Sequence, residues 1–360
     1  MPAQLSPRRL LMSPLVDLLV GPHGIDRYLE LIRPDLTVRD ASARAVAVHH
    51  QTKRSVTLTL RPNAAWTGFQ AGQFARIGVD IDGVRRTRTY SPSCSQHRAD
   101  GLLELTVTTH PEGLVSRHLR HGLRPGQVLH LAEAQGDFVL PARRPERLVL
   151  ISGGSGVTPV ISMLRTLCDE GHQGDVAFVH YARTADDWLY QREVEALAAG
   201  RPNLTVDYVA TREGGRHIDE RSVRALIGGR DPASAVAAVC GPPALIEAVR
   251  AIWQHAPERV LAESFTPPSL NVGDTAADGT LHFLRSEIAA PIAQGTLLEQ
   301  AEAAGLTPDF GCRMGICHTC TCRKTAGAVR DVRTGQVSTE EDVDIQLCVS
   351  VPAGDVALEL

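Results

Sequence analysis

Four of the chain's eight cysteines lie in one short stretch, GCRMGICHTCTC at residues 311–322, and clustered thiols hold soft metal centres as thiolates. Cys312, Cys317 and Cys320 read C-x4-C-x2-C, and Cys348 follows 28 positions after Cys320. That spacing suits a [2Fe–2S] cluster. Structural zinc is the rival, but it usually takes two C-x2-C knuckles, and here one such pair is followed by a distant single cysteine. Gly311 and Gly315 suit the cluster, because a loop wrapped round inorganic sulfide brings backbone N–H groups close and leaves little room for Cβ atoms. Cys322 is left over. It stands at x4 spacing from Cys317, which makes it a substitute ligand or, more simply, a bystander that begins the next strand.

A second stretch has the chemistry of a phosphate cradle. In ISGGSGVTP (151–159), Gly153, Gly154 and Gly156 let a backbone approach a pyrophosphate, Thr158 offers a hydroxyl, and Pro159 suits a first helical turn. It is not the dinucleotide fingerprint G-x-G-x-x-G, and alone it would be a weak signal. Cys240, in CGPP (240–243), would by itself be a small buried thiol at a strand end.

Several elements must position these residues. The 360-residue chain exceeds what one core usually fills, so two or three domains are expected. Residues 43–140 read as strands: SVTLTL (55–60), QFARIGVDI (73–81) and LLELTVTT (102–109) are separated by turn residues, as in a barrel or sandwich. From residue 147 the rhythm changes. RLVLIS, DVAFVHYA, LTVDYVA and SAVAAVCG are strands, and they alternate with the helices VTPVISMLRTLCDEG, WLYQREVEALAAG and PPALIEAVRAIWQH. Such alternation predicts a parallel sheet with helices on both faces. FTPPSLNVGDTAADG (265–279) has the Pro, Gly and Asp content of a linker, and about 80 residues with the cysteine cluster follow it.

Composition narrows the class. Apolar residues at 43% and charged residues at 22% are ordinary for a globular protein, and a net charge of −4 does not suggest a nucleic-acid partner. Disulfide frameworks belong to short secreted chains. SPRRLLMSPLVDLLVG carries two arginines before an apolar run, but Asp17 interrupts it, and it reads as a short amphipathic helix rather than an export signal. No run approaches the ~20 apolar residues of a membrane span. A cytoplasmic, reducing location is expected, with thiols free or bound to metal. Residues 1–150 carry 20 Arg+Lys against 13 Asp+Glu, whereas residues 279–360 carry 6 against 11. A basic front and an acidic tail could attract one another, or the difference is compositional scatter.

From residue 279 onward the chain resembles the plant-type ferredoxin domain, a β-grasp fold. CRMGICHTC is close to that family's cluster loop, and IQLCVSVP resembles the strand presenting its fourth cysteine. RTYS (88–91) and GLVS (113–116), about 25 residues apart, combine with the strand-rich first part and the glycine-rich α/β part. Together they resemble the ferredoxin–NADP reductase superfamily. The resemblance implies that Arg88 pairs with a flavin phosphate, Tyr90 packs on the isoalloxazine ring and Ser91 lies near flavin N5. It implies a helix N-terminus at Gly113, Leu114, Val115 and Ser116 that receives the pyrophosphate on backbone amides and a hydroxyl. With GDF (136–138) and its Phe138 downstream, this turn favours FAD over FMN.

The same resemblance makes ISGGSGVTP the nucleotide loop and CGPP the turn that sets Cys240, with Gly241 and Pro242, beside the nicotinamide. AESF (262–265) is similar to the closing strand, where Glu263 and Phe265 would line the flavin. Ser91, Cys240 and Glu263 are the implied catalytic set. ATREGGRHI (210–218) is similar to the Ser-Arg…Lys loop that grips the 2′-phosphate in NADP-dependent members. Thr211, Arg212 and Arg216 would supply a hydroxyl and two cations, with Arg183 assisting from the preceding strand. The family's lysine and following tyrosine are not matched. NADPH is the first expectation and NADH the second; a solvated surface loop is the bland alternative.

The expected organisation is an N-terminal extension (1–42), an antiparallel β-barrel flavin domain (43–145), an α/β parallel-sheet NAD(P) domain (146–265), a linker (266–278) and a C-terminal β-grasp ferredoxin domain (279–360). Nicotinamides give up two electrons as a hydride, whereas iron–sulfur and oxygenase centres take one at a time, and a flavin converts between them. The resemblance therefore implies a path from NADPH through FAD and the [2Fe–2S] cluster to an oxygenase, hydroxylase or desaturase. HGIDRYLELIRPDLTVRDASARAVAV is similar to the lead-in of reductases that serve membrane fatty-acid desaturases. A desaturase or alkane-type hydroxylase is thus the first expected acceptor, and any membrane association would come through it. A cytochrome P450 or ring-hydroxylating oxygenase comes second. A redox sensor and a terminal reductase of quinones or oxygen remain as other readings.

Overall fold

The structure, a computed structural model, describes residues 40–265 and 278–360 except Glu112, Cys312, Ile316 and Cys317. The first 39 residues, and with them most of the expected extension, lie outside the described residues, as does the linker up to residue 277. The chain divides into two compact units, Met1–Phe265 and Thr266–Leu360. The first unit contains both the expected flavin and NAD(P) parts.

The chain first forms β1 (Ser42–His50), β2 (Ser55–Pro62), β3 (Ala75–Ile81), β4 (Val84–Tyr90), β5 (Leu103–Thr108), helix α1 (Leu114–His121) and β6 (Val128–Leu131). The strands make an antiparallel half-barrel in the order β4-β3-β6-β1-β2-β5. Alternation explains β2: Val56, Leu58 and Leu60 are buried in the barrel core with Leu103, Leu105 and Val107 of β5 and with Val115 and Leu119 of α1. The threonines between them face the other way, and Thr57 and Thr106 hydrogen-bond across the pair at 2.6 Å.

Next come β7 (Arg147–Gly153), α2 (Val157–Asp169), β8 (Asp175–Ala182), α3 (Gln191–Ala199), β9 (Leu204–Ala210), α4 (Glu220–Leu226), β10 (Val236–Cys240), α5 (Pro243–Ile252) and β11 (Val260–Glu263). The parallel sheet runs β11-β10-β7-β8-β9, so chain order reverses between β7 and β10. One face of the sheet packs under α2 and α3, with Leu150, Phe178, Val160 and Leu164 in the core; the other packs on α4 and α5, with Trp253 fully buried. Sequence periodicity starts α3 at Trp188, but the helix begins at Gln191. Tyr190 precedes it in a left-handed conformation (φ 61°), which no helical turn accepts.

The second unit contains β12 (Thr280–Phe283), β13 (Ile288–Pro291), α6 (Leu297–Ala303), β14 (Thr321–Asp331), β15 (Val337–Ser338), β16 (Val343–Gln346) and β17 (Ser350–Leu358). Its sheet is mixed: β12 and β17 run parallel, and β14 pairs antiparallel with β17 and β16. Helix α6 opens with a capping box, Thr296 accepting from the Glu299 N–H, and buries Leu297, Leu298 and Ala301 against the sheet.

Candidate active site

The nucleotide loop and the CGPP turn meet where the strand order reverses, the place at which open α/β sheets bind ligands beyond their strand ends. After β7 the chain makes one tight turn at 154–156 and enters α2, whose first N–H groups have no partner within the helix. The approach of the two segments requires glycine. A Cβ on Gly156 would overlap the Cys240 carbonyl, and one on Gly153 would stand 2.8 Å from the Pro242 ring. Thr158 is buried, with its hydroxyl donating to the Ser155 carbonyl at 3.2 Å. Gly154 is exposed, and the Gly241 N–H donates to the Glu263 carbonyl at 3.3 Å.

Parallel register sets five polar side chains in a row across the same end of the sheet. Tyr208 pairs with His180, His180 with Ser152, Ser152 with Cys240, and Cys240 with Glu263. Burial raises the Glu263 carboxyl to about 8, so it holds its proton at neutral pH. Burial, and then the neighbouring Glu263, push the Cys240 thiol well up. Burial lowers His180 to about 4, leaving a neutral imidazole whose Nδ1 lies 2.9 Å from Ser152 Oγ. The reading from sequence missed Ser152 and His180. Their signal was a histidine inside the apolar strand DVAFVHYA, beside a strand ending in serine.

On the flavin side, Arg88 and Tyr90 lie on β4 opposite Ile77 and Ala75. The Arg88 guanidinium donates to the Thr87 carbonyl at 2.8 Å, and burial raises the Tyr90 phenol while Arg88 pulls it down. Ser91 follows directly and is 2% exposed. Gly113 precedes α1, whose first residue Leu114 is exposed and second, Val115, buried. The Ser116 hydroxyl donates to the Gly113 carbonyl at 3.2 Å and accepts from the His110 N–H at 3.3 Å. Phe138 is buried in the same core cluster as Cys240, and Phe265 packs against that cluster.

Two atoms test whether this set suits a polar ligand. Ser91 Oγ and Glu263 Oε2 are both buried and have no hydrogen-bond partner among the described residues. A buried polar atom is costly to leave unsatisfied, and a flavin ring edge or carboxamide provides such partners. The residues present fit the group.

The expected coenzyme loop follows β9 and folds back on its end, the Gly215 N–H donating to the Ala210 carbonyl at 3.0 Å. The Thr211 N–H bonds the Ala182 carbonyl and the Arg212 N–H bonds the Arg183 carbonyl, both at 2.9 Å, so the turns after β8 and β9 lie together. Arg183 and Arg212 are exposed, and neither makes an ion pair among the described residues. Arg216 is also exposed and lies near Asp219, whose carboxyl is lowered first by hydrogen bonds from Ser222 and then by Arg216.

In the second unit, Cys320 and Cys348 are buried side by side, and the Cys348 N–H donates to Cys320 Sγ at 3.5 Å. That is the fit expected of a cluster ligand, a thiolate sulfur receiving backbone N–H. Cys312 and Cys317 lie outside the described residues. Arg333 donates to the Gly315 carbonyl at 2.7 Å and pairs with Asp331 through two contacts. Cys322 lies on β14 opposite Ile345, buried in the domain core.

Comparison with known proteins agrees with this architecture. Residues 43–140 match the family of oxidoreductase FAD-binding domains, 150–251 the oxidoreductase NAD-binding domain and 282–353 the 2Fe-2S iron-sulfur cluster binding domain. The chain is 36% identical over 341 residues to an NADPH oxidoreductase of Mycobacterium tuberculosis, covering 93% of this chain and 88% of that one. It is 30% identical over 322 residues to the glycine betaine monooxygenase reductase subunit of Pseudomonas aeruginosa, covering 81% and 87%. Its fold is similar to that of phthalate dioxygenase reductase, with a TM-score of 0.62, 22% identity and coverage of 89% and 97%. The chain belongs to the ferredoxin–NADP reductase superfamily, in the three-domain form ending in a plant-type [2Fe–2S] domain. It is an NAD(P)H-dependent oxidoreductase that uses FAD and a [2Fe–2S] cluster.

Proposed function

We propose that the chain is the reductase component of an oxygenase system, taking electrons from NADPH and passing them singly to the oxygenase. The observation that carries this reading is the in-register pair Cys240–Glu263 at the switch point, in a chain that also holds the Cys320–Cys348 contact. A redox sensor would need no such nicotinamide-side pair. The likeness to a monooxygenase reductase subunit supports an oxygenase as acceptor. The narrower expectation, a desaturase or alkane-type hydroxylase, rests on the N-terminal lead-in, which lies outside the described residues.

FAD, when bound, would supply the conversion between a two-electron hydride donor and one-electron acceptors, and a [2Fe–2S] cluster would supply one-electron transfer. The chain's own residues arrange this. The amides at 153–158 and the N-terminus of α2 hold the coenzyme pyrophosphate. The Gly241–Pro242 turn shapes the floor for the nicotinamide, with the neutral Cys240 thiol packed beneath it. Glu263, protonated below about pH 8, would keep a proton beside a bound flavin, and the burial of Ser91 would help exclude water there. Arg183, Thr211 and Arg212, on adjoining turns, would grip a 2′-phosphate, the feature that favours NADPH. Among the described residues no helix is long and apolar enough to cross a membrane. Among the described residues Cys94, Cys168, Cys240 and Cys322 form no disulfide, which suits a cytoplasmic location.

The test is reconstitution with NADPH or NADH and candidate acceptors: a monooxygenase, a fatty-acid desaturase, cytochrome c, quinone and oxygen. Coupled substrate oxidation with the oxygenase, faster with NADPH, is the expected result. Turnover confined to quinone or oxygen would remove the reading.

A further inference from the structure

We infer that Arg165 is a positioning residue for hydride transfer, locking the flavin-side segment at residues 91–93 to the helix whose N-terminus receives the coenzyme. The inference rests on the roles given above to Ser91 and to the 153–158 loop. Arg165 lies on α2, two turns beyond that loop, and its guanidinium reaches both sides of a strand pairing in the flavin lobe. Nη1 donates to the Ser93 carbonyl at 2.7 Å and to Glu104 Oε2 at 2.9 Å. Ser93 and Glu104 are themselves joined, the Ser93 N–H donating to the Glu104 carbonyl at 2.8 Å. The remaining nitrogens hold both oxygens of Glu193 at 2.7 Å, and the guanidinium stacks 5.0 Å over the Tyr190 ring. Planar geometry matters here, because only a rigid fork satisfies two carboxylates and a carbonyl at once.

The same face of α2 holds the rest of the segment that follows Ser91. The Ser162 hydroxyl donates to the Cys94 carbonyl at 2.7 Å, and the Gln96 N–H donates to Thr166 Oγ1 at 3.2 Å. One turn further on, Glu170 lies 2.9 Å from His97. A single helix therefore carries the coenzyme loop at its start and the flavin segment along its flank. Ser91 and the 153–158 loop belong to one rigid piece, and the approach of nicotinamide C4 to the flavin is set by this packing rather than by closure of two lobes. Hydride transfer is steep in that distance, and a displacement of about 1 Å slows such a step on the order of a hundredfold.

The experiment is stopped-flow flavin reduction on the holoenzyme, with NADPH and NADH carrying hydrogen or deuterium at C4. Arg165→Met should slow flavin reduction about ten- to hundredfold and raise the primary isotope effect, while FAD and iron content stay at wild-type levels. Arg165→Lys should recover part of the rate. Thr106→Val serves as the structural control, because it removes the hydrogen bond between Thr106 and Tyr190 at the same interface and leaves the Arg165 contacts with the Ser93 carbonyl and Glu104 in place. It should lower the thermal midpoint and leave rate and isotope effect unchanged. A wild-type rate and isotope effect in Arg165→Met overturns the proposal, as does an equal slowing by Thr106→Val. Should Arg165→Met fail to fold, Ser162→Ala is read the same way: a slowed step with a raised isotope effect supports the lock, and an unchanged one overturns it. A wild-type protein whose flavin neither coenzyme reduces would overturn the coenzyme reading itself, and the lock with it.

Discussion

His180 shows how a single buried side chain ties the site to the stability of its sheet. It is fully buried on β8, and burial lowers its imidazole to about 4 from an ordinary 6.5. The unfolded chain takes up a proton below 6.5 while the native chain resists until about 4, so stability is complete above 6.5 and is lost as pH falls through that window. Ser152 does not depend on it alone, since its hydroxyl also reaches the Val179 carbonyl at 3.3 Å. His180→Leu should therefore fold and should remove this acid sensitivity. Relative to wild type, it should gain on the order of 3 kcal/mol between pH 7 and 4. Thermal midpoints of both proteins across that range check it, and parallel curves would refute the cause. The imidazole was visible in the sequence only as a polar letter in an apolar run. Its burial and its serine came from the neighbouring strand.

At the scale of elements, β14 separates the cysteines that the sequence left side by side. Cys320 precedes the strand and receives the Cys348 N–H, whereas Cys322 lies inside it opposite Ile345. Burial raises the Cys322 thiol, and its charged neighbours are Arg285, Glu359 and Asp344 rather than the other cysteines. Cys322→Ser should keep the visible and paramagnetic spectra of the cluster, while Cys348→Ser should abolish them or leave a short-lived species. Loss in both variants would return Cys322 to the ligand set. Spacing alone left Cys322 open because x4 fits it as well as Cys312; the strand register supplies the distinction. The start of α3 had the same limit. Its periodicity continues through Trp188, but Tyr190 turns left-handed to bury its ring beneath Arg165 and bring its hydroxyl to Thr106 of the flavin lobe, a demand made by another lobe.

For the whole molecule, the decisive division falls at Phe265. The flavin and NAD(P) lobes share one compact unit and the ferredoxin part forms another. The first unit has its own cores, and the clamp on α2 lies wholly within it. A chain ending at Phe265 should therefore fold with FAD, reduce its flavin with NADPH at nearly the wild-type rate and reduce ferricyanide. Its reduction of cytochrome c and of the oxygenase should fall steeply, because the one-electron outlet is gone. Stopped-flow bleaching beside steady-state assays decides this. A shortened chain that keeps FAD but cannot reduce it would break the linear order from coenzyme through flavin to cluster.

By itself the sequence determined the chemistry carried in contiguous stretches. The C-x4-C-x2-C loop, the ISGGSGVTP cradle and the CGPP turn need only neighbours along the chain, so spacing expresses them directly. Alternation likewise sorted Val56, Leu58 and Leu60 from the threonines between them, because strand period is a local property. Tertiary structure alone decided what those stretches face. The Cys240–Glu263 pair depends on parallel register, and the fit of Gly156 against the Cys240 carbonyl joins residues 84 positions apart. Arg165 reaches Ser93 across 72 positions and Glu104 across 61. Such contacts leave no period or motif in the chain, because they arise where close-packed elements meet and buried polar groups must find partners wherever the fold brings them.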